Sequence, residues 1–264
     1  MIIHGDCIEE MKKLKPKSID LVVTSPPYDN LRTYEGSLDW GEHVWKPCIQ
    51  ELYRIVKDGG VVVWVVGDAT INGSETGTSF RQALYAMDCG FNLHDTMIYQ
   101  KNSYPFPPVN RYYQQFEYMF VFSKGKPKTH NIQRCPTIEK YRNTTNTTSS
   151  QRGKDGETTK LKYATGLDTR KMDNVWKIDA GYMRGTKDKI AFKHPATFPD
   201  LVAERHILSW SNKGDTILDP FAGSGTVGKM AKQLKRNYIL IEKEAKYIEI
   251  IKERLQSELF KEMS

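Results

Sequence analysis

Leu218-Asp-Pro-Phe-Ala-Gly-Ser-Gly-Thr-Val-Gly228 is the stretch that decides the fold. It completes the short apolar run Thr216-Ile-Leu-Asp219 and leads into a helical stripe of Val227, Met230, Ala231 and Leu234. Strand, glycine turn and helix in that order open a βα unit, and Gly223, Gly225 and Gly228 let backbone come close to a ligand. A second strand, Tyr238-Ile-Leu-Ile-Glu242, follows, and then a closing helix with Tyr247, Ile248, Ile251, Leu255 and Leu259 inward. Asp219 and Glu242 therefore end neighbouring strands.

The glycine spacing alone suits a dinucleotide, with Glu242 accepting the ribose hydroxyls. Two features argue otherwise. Only 22 residues follow Glu242, too few to supply the rest of a dinucleotide-binding sheet. Asp219 would also repel a pyrophosphate, whereas it would attract an ammonium. S-adenosylmethionine carries an ammonium and a ribose but no phosphate. Asp219, Pro220, Phe221, Ala222, Gly223, Ser224, Gly225, Thr226 and Glu242 are thus candidates to bind it. A turn that serves only tight strand–helix packing remains the alternative.

Upstream, Ile19-Asp-Leu-Val-Val-Thr24 and Gly60-Val-Val-Val-Trp-Val-Val-Gly67 read as parallel strands buried on both faces. Between them Trp45, Ile49, Leu52, Tyr53 and Val56 form a helical stripe that the stop signals Lys57-Asp-Gly-Gly60 should end. Phe80 to Met87 reads as a further helix, and Leu93–Gln100 and Glu117–Ser123 as two more strands. The alternation predicts an α/β domain. From Asn143 to Lys160 the composition is Thr, Ser, Asn, Gly and charge, which predicts a mobile loop.

Thr24-Ser-Pro-Pro-Tyr28 directly follows the first of these strands. Pro26 and Pro27 fix backbone dihedrals, so the loop is stiff and sits at a strand's C-terminal end, where open α/β sheets bind ligands. The Ser25 hydroxyl and a carbonyl near Pro26 can accept from an exocyclic amine, and Tyr28 can stack on its ring. Holding both N–H bonds aims a delocalised lone pair at an electrophile. A rigid turn around a buried tyrosine is the plainer reading of the same four residues.

Charge is uneven. Between Lys124 and His194 there are 17 basic and 7 acidic residues, against 22 and 25 in the remainder. This fits a polyanion-binding face as well as it fits a solvated loop. The longest pure apolar run, Val61–Val66, is too short to span a bilayer, so no membrane association is expected. The N-terminus shows no secretory pattern, which points to the cytoplasm. Cys7, Cys48, Cys89 and Cys135 are too scattered for a zinc site and read as reduced thiols, and no metal is expected.

Ser25-Pro-Pro-Tyr28 preceding Asp219–Thr226 resembles the amino-directed DNA methyltransferases, in the permuted order called the β class. Three further segments strengthen the likeness. His4-Gly-Asp6-Cys7 resembles the turn beside the cofactor adenine. Lys193-His194-Pro-Ala-Thr-Phe198-Pro199 resembles the segment that packs around the cofactor. Phe116-Glu-Tyr-Met-Phe-Val-Phe-Ser-Lys124 resembles the strand near the target-base pocket. The resemblance covers nearly the whole chain and implies a Rossmann-like S-adenosylmethionine-dependent methyltransferase fold. In it a seven-stranded mixed sheet is flanked by helices, within one circularly permuted domain.

It further implies methyl transfer to the exocyclic amine of a flipped base in double-stranded DNA. Ser25, Pro26, Pro27 and Tyr28 would be catalytic, and Asp6, Cys7, His194 and Phe198 would join the cofactor site. The basic insertion, approximately residues 124–184, would read DNA through Lys124, Lys126, Lys128, Arg134, Arg142, Arg152 and Lys154. Serine at the first motif position is typical of cytosine-N4 enzymes in this family. Adenine N6 stays open, as does a non-catalytic DNA-binding protein on a methylase fold. A homodimer and a cognate restriction endonuclease are the partners that family membership would bring.

Overall fold

In the computed structural model, residues 1–28, 40–102, 110–137, 148–162 and 168–262 are described. The chain runs through β1 (Ile2–His4), α1 (Cys7–Lys12), β2 (Ile19–Thr24), α2 (Glu42–Ile55) and β3 (Val56–Val66). The small hairpin β4 (Thr70–Ile71) and β5 (Ser74–Glu75) precedes α3 (Thr78–Asp88), β6 (Asn92–Lys101) and β7 (Phe116–Ser123). Short strands β8 (Arg134–Pro136), β9 (Thr148–Arg152), β10 (Thr158–Lys162) and β11 (Thr169–Lys171) come next. The chain ends with β12 (Val175–Ile178), a 3-10 turn at Lys189–Lys193, α4 (Asp200–Trp210), β13 (Thr216–Asp219), α5 (Thr226–Gln233), β14 (Asn237–Glu242) and α6 (Ala245–Glu262). Two compact units result: Met1–Asn131 with Asn174–Ser264, and Ile132–Asp173.

In the larger unit, Val61–Val66 are each at most 1% exposed, which anchors β3 at the centre of the sheet. Burying one such side chain stabilises by about 1.5–3 kcal/mol. The strand order is β1-β14-β13-β2-β3-β7-β6-β12, with β7 alone antiparallel to its neighbours. From β13 the chain moves outward through β14, and from β2 it moves outward the other way through β3. The boundary between β2 and β13 is therefore a topological switch point, and a crevice opens beyond the C-terminal ends of both. Leu21 pairs with Ile217 and Val22 with Leu218, so Thr24 and Asp219 emerge side by side.

Helices cover both faces. Met11, Trp45, Ile49, Leu52 and Ala83 of α1, α2 and α3 pack on Val22, Val62, Trp64, Phe120 and Phe122. On the other face lie α4, α5 and α6, where Ile248, Ile251 and Leu255 pack on Leu240.

Four details differ from the sequence reading. The sheet has eight strands, not seven, because Ile2–His4 and Val175–Ile178 close its edges, and runs that short show no periodicity. The stop signals Lys57-Asp-Gly-Gly60 lie inside β3 rather than ending a helix. Gly59, at φ +82°, belongs to an irregular stretch where the β2–β3 register shifts. Helices α1 and α4 carry no signal that the sequence reading used. In the smaller unit, Thr148–Arg152 and Thr158–Lys162 pair as an antiparallel hairpin, where a mobile loop was expected. Backbone pairing and β-branched threonines build such a ribbon without an apolar core. Residues 143–147 of the expected loop lie outside the described residues.

The smaller unit is also narrower than the expected insertion of 124–184. It holds nine basic and five acidic residues, while 124–131 and 174–194, in the larger unit, hold eight and two.

Candidate active site

The crevice at the switch point is a cavity of about 550 Å³. Asp6, Cys7, Ser25, Pro26, Pro27, Tyr28, His194, Phe198, Asp219, Pro220, Phe221, Ala222, Gly223, Ser224, Thr226 and Glu242 all line it. Residues separated by nearly the whole chain thus share one chamber, of the volume that a cofactor and a base would need. Gly225, alone among the catalytic and cofactor-binding positions expected from sequence, stands back from the wall. It is the N-cap of α5 with φ +79°, and a Cβ there would meet Ile251 at 3.0 Å.

On one side stand the strand-tip carboxylates. Asp219 is 4% exposed, and its Oδ1 accepts from the Thr24 hydroxyl at 2.7 Å and from the Phe221 N–H at 3.1 Å. Burial pushes this carboxyl up to about 7, and the two hydrogen bonds only partly offset the loss of water. Both bonds fall on Oδ1, so among the described residues Oδ2 is left for a ligand. Glu242 takes the Gly223 N–H on Oε2 at 2.7 Å and the Glu244 N–H on Oε1 at 2.9 Å, and burial raises its pKa as well. Two desolvated acids facing one chamber suit a cationic ligand that also brings hydroxyl donors. A pyrophosphate would meet repulsion here, so the residues fit S-adenosylmethionine and do not fit a dinucleotide.

The wall around them is built tightly. Gly223 has φ +51°, and a Cβ on it would lie 3.1 Å from the His194 ring. His194 in turn sits 4.2 Å from the Tyr247 ring and makes Nδ1 contacts with the Ala196 backbone. Phe221 meets Trp40 edge-on at 5.6 Å. Asp6 caps α1, its Oδ1 accepting from Ile8 N at 2.9 Å and Glu9 N at 3.3 Å, so its structural role is visible in addition to its place at the cavity.

Across the cavity, Ser25 Oγ and Tyr28 Oη lie 2.9 Å apart. The Tyr28 hydroxyl donates to Glu117 Oε2 at 2.9 Å, and the Lys101 ammonium donates to Glu117 Oε1 at 3.0 Å. Glu117 opposes Tyr99 in the β6–β7 register, so Tyr99, Lys101 and Glu117 project from one face of the sheet. Tyr99 borders the cavity, is 2% exposed, and its hydroxyl has no hydrogen-bond partner among the described residues. Burial pushes its phenol well above the ordinary range.

Sequence reasoning did not single out Trp40, Tyr99, Lys101, Glu117, Tyr182 or Phe192, which also line the chamber. A carboxylate heading the apolar run Phe116–Ser123 was the available sign for Glu117. It also missed a buried charge cluster beneath the glycine turn. Arg254, 1% exposed, donates to Ser224 O at 2.6 Å and to Asp188 Oδ2 at 3.1 Å. Lys229 bridges Asp188 at 2.7 Å and Asp200 at 2.8 Å.

The basic residues expected to meet DNA fall into separate places. Lys124, Lys126 and Lys128 follow antiparallel β7 and lie beside Gly59 and Gly60, at the end of the sheet opposite the cavity. Lys124 donates to Tyr53 O at 2.6 Å and Val56 O at 3.1 Å and rests on the Tyr53 ring, so it is a structural clamp there. Arg134, Arg152 and Lys154 belong to the smaller unit, where Arg134 bonds Thr169 and Arg152 bonds Gly156 O. Arg142 lies outside the described residues.

Comparison with known proteins gives a consistent assignment. Residues 19–253 match the N6/N4 methylase family model, described as DNA methylase. The orphan methyltransferase M.BamHII of Bacillus amyloliquefaciens is 53% identical over 255 residues, covering 96% of this chain and 91% of that protein. The type II methyltransferase M.HpaI of Haemophilus parainfluenzae is 30% identical over 268 residues, covering 97% and 74%. Among solved structures, the PvuII DNA methyltransferase (cytosine-N4-specific) superposes with a TM-score of 0.68 at 21% identity, over 96% of this chain and 85% of that one.

Proposed function

We propose, because this chain belongs to the N6/N4 family of DNA methylases, that it methylates the N4 amine of a cytosine extruded from double-stranded DNA. The observation that carries the reading is the single cavity shared by Ser25–Tyr28 and Asp219–Glu242. When bound there, S-adenosylmethionine supplies a methyl group on a positive sulfonium. Asp219 would hold the ammonium of that group and Glu242 its ribose hydroxyls, with Phe198, His194 and Phe221 walling the chamber. Ser25 Oγ and a carbonyl near Pro26 would orient the amine, and Tyr28 would stack on the ring that a duplex otherwise hides.

Two features favour cytosine. Serine stands at the first motif position, and the far wall carries spare donors. The Tyr99 hydroxyl has no partner among the described residues, and the Lys101 ammonium has protons beyond the one given to Glu117. Cytosine presents two acceptors, N3 and O2, beside its amine, whereas adenine presents N1 and then a C–H.

The Ile132–Asp173 unit would read the sequence, with Arg134, Arg142, Arg152 and Lys154 on phosphates or base edges. The reading extends to a cytoplasmic homodimer working alongside a cognate restriction endonuclease. Incubation with labelled cofactor and duplex DNA, followed by sequencing that separates 4-methylcytosine from 6-methyladenine, tests it. 4-Methylcytosine at one motif is expected. 6-Methyladenine would overturn the base assignment, and DNA that is bound but never labelled would overturn catalysis.

A further inference from the structure

We infer that Glu117 is the final acceptor of the proton that the target amine sheds, reached through Tyr28 and Ser25. The inference rests on the amine-methylation reading and adds a group that the four-residue loop does not contain. An ionised carboxylate only accepts hydrogen bonds. The single Tyr28 hydroxyl proton therefore lies in the 2.9 Å bond to Glu117 Oε2. The 2.9 Å bond between Ser25 and Tyr28 must then be donated by Ser25, whose one proton is thereby committed. Ser25 Oγ is left with lone pairs alone to offer the amine. Glu117 thus sets the direction of the whole chain, and Lys101, 3.0 Å from its other oxygen, is its counter-charge.

The balance of the step comes from that direction. The amine lone pair forms the new N–C bond as the methyl–sulfur bond breaks, and the sulfur keeps that electron pair as a neutral thioether. The nitrogen, now bearing a methyl and two hydrogens, carries the positive charge. It passes one proton to Ser25 Oγ as the Ser25 proton moves to the Tyr28 oxygen and the Tyr28 proton moves to Glu117 Oε2. A neutral methylamino group and a neutral carboxylic acid remain. The Glu117 side chain is 16% exposed, so the proton can leave to solvent. Glu117 acts through Tyr28 and does not itself touch the base.

Tyr28→Phe keeps the stacking ring and removes one oxygen. Glu117→Gln keeps an acceptor for Tyr28 and removes the base. Each is expected to lower kcat by about 100-fold, the scale of lost general-base assistance, and the double variant by little more than either alone. DNA affinity and base extrusion without cofactor, read by 2-aminopurine fluorescence beside the target, should stay within about twofold of wild type. Glu117→Asp should recover part of the rate.

Wild-type kcat in Glu117→Gln, or additive losses in the double variant, would overturn the relay while leaving methylation standing. If Glu117→Gln does not fold, Tyr28→Phe decides alone, and an unchanged kcat in it overturns the relay. A wild-type protein that labels no DNA defeats the proposed function instead, so the two failures are distinct.

Discussion

Asp219 and Glu117 border the same cavity from opposite sides, and the protein treats them in opposite ways. Asp219 is buried with hydroxyl and backbone donors but no cation among the described residues, and its carboxyl is pushed up to about 7. Glu117 carries Lys101 as a partner at 3.0 Å and a tyrosine hydroxyl at 2.9 Å. One acid is left short of charge compensation, which a cationic ligand can supply. The other is already compensated and holds a side chain in place. A desolvated carboxylate marks the end of the chamber that waits for a charged guest, and an ion-paired one marks the end that must keep its geometry whether or not a guest is present.

The sharpest way to break this contrast is at the loop. Tyr28→Ala should reduce kcat by about 100- to 1000-fold while the cofactor Kd changes less than about twofold, because the ring works only on the base side. Isothermal titration and single-turnover rates would show it, and a large loss of cofactor affinity would dissolve the division into two ends. Asp219→Asn should do the reverse, weakening cofactor binding by about 10- to 100-fold, the worth of one charge-assisted hydrogen bond.

The pH dependence sharpens the same point. Asp219 must lose its proton before it attracts an ammonium, so cofactor affinity should rise by roughly tenfold from pH 6 to pH 8 and level off above 7. The folded ligand-free protein holds this proton more tightly than the unfolded chain, whose Asp titrates at about 3.9. Stability should therefore fall as pH rises from about 4 to 7, and Asp219→Asn should remove that slope in thermal melts. The smallest effect separates the basic residues. Arg152→Ala should lower the salt dependence of DNA binding by about one phosphate contact. Lys124→Met should leave it unchanged and instead destabilise the junction at Tyr53 and Val56.

Legibility in the sequence followed the same division. Thr216–Asp219, the glycine turn and Ile19–Thr24 are local patterns, and their strand boundaries match the structure residue for residue. The Asp219–Glu242 side of the cavity was therefore readable, because strand, turn and strand tip build it in about 25 consecutive residues. On the opposite side Ser25–Tyr28 was singled out from its residues, and Phe116–Lys124 was placed nearby only through the family resemblance. Glu117, Lys101 and Tyr99 come together through the pairing of β6 with β7, and a cross-strand register leaves no mark in linear spacing. Arg254 and Lys229 were hidden for a related reason. Charges on a helix read as solvated until the partners Asp188 and Asp200 are known to face them. The basic tract was counted correctly but not located, since net charge says nothing of which end of a sheet a lysine occupies.

The reversed direction of β7 has one more effect. In β3 and β6, which run the opposite way, the residue at the crevice rim is the last before a loop, so its position depends on whatever that loop does. In β7 the rim residue is near the strand's beginning, and Glu117 is held by its pairing with Tyr99 of β6, while Tyr118 beside it pairs with Val66 of β3. The segment that leaves β7 departs from the far end of the molecule's main sheet. A change in the length of the chain beyond Ser123 therefore leaves the β6–β7 pairing that holds Glu117 unaltered.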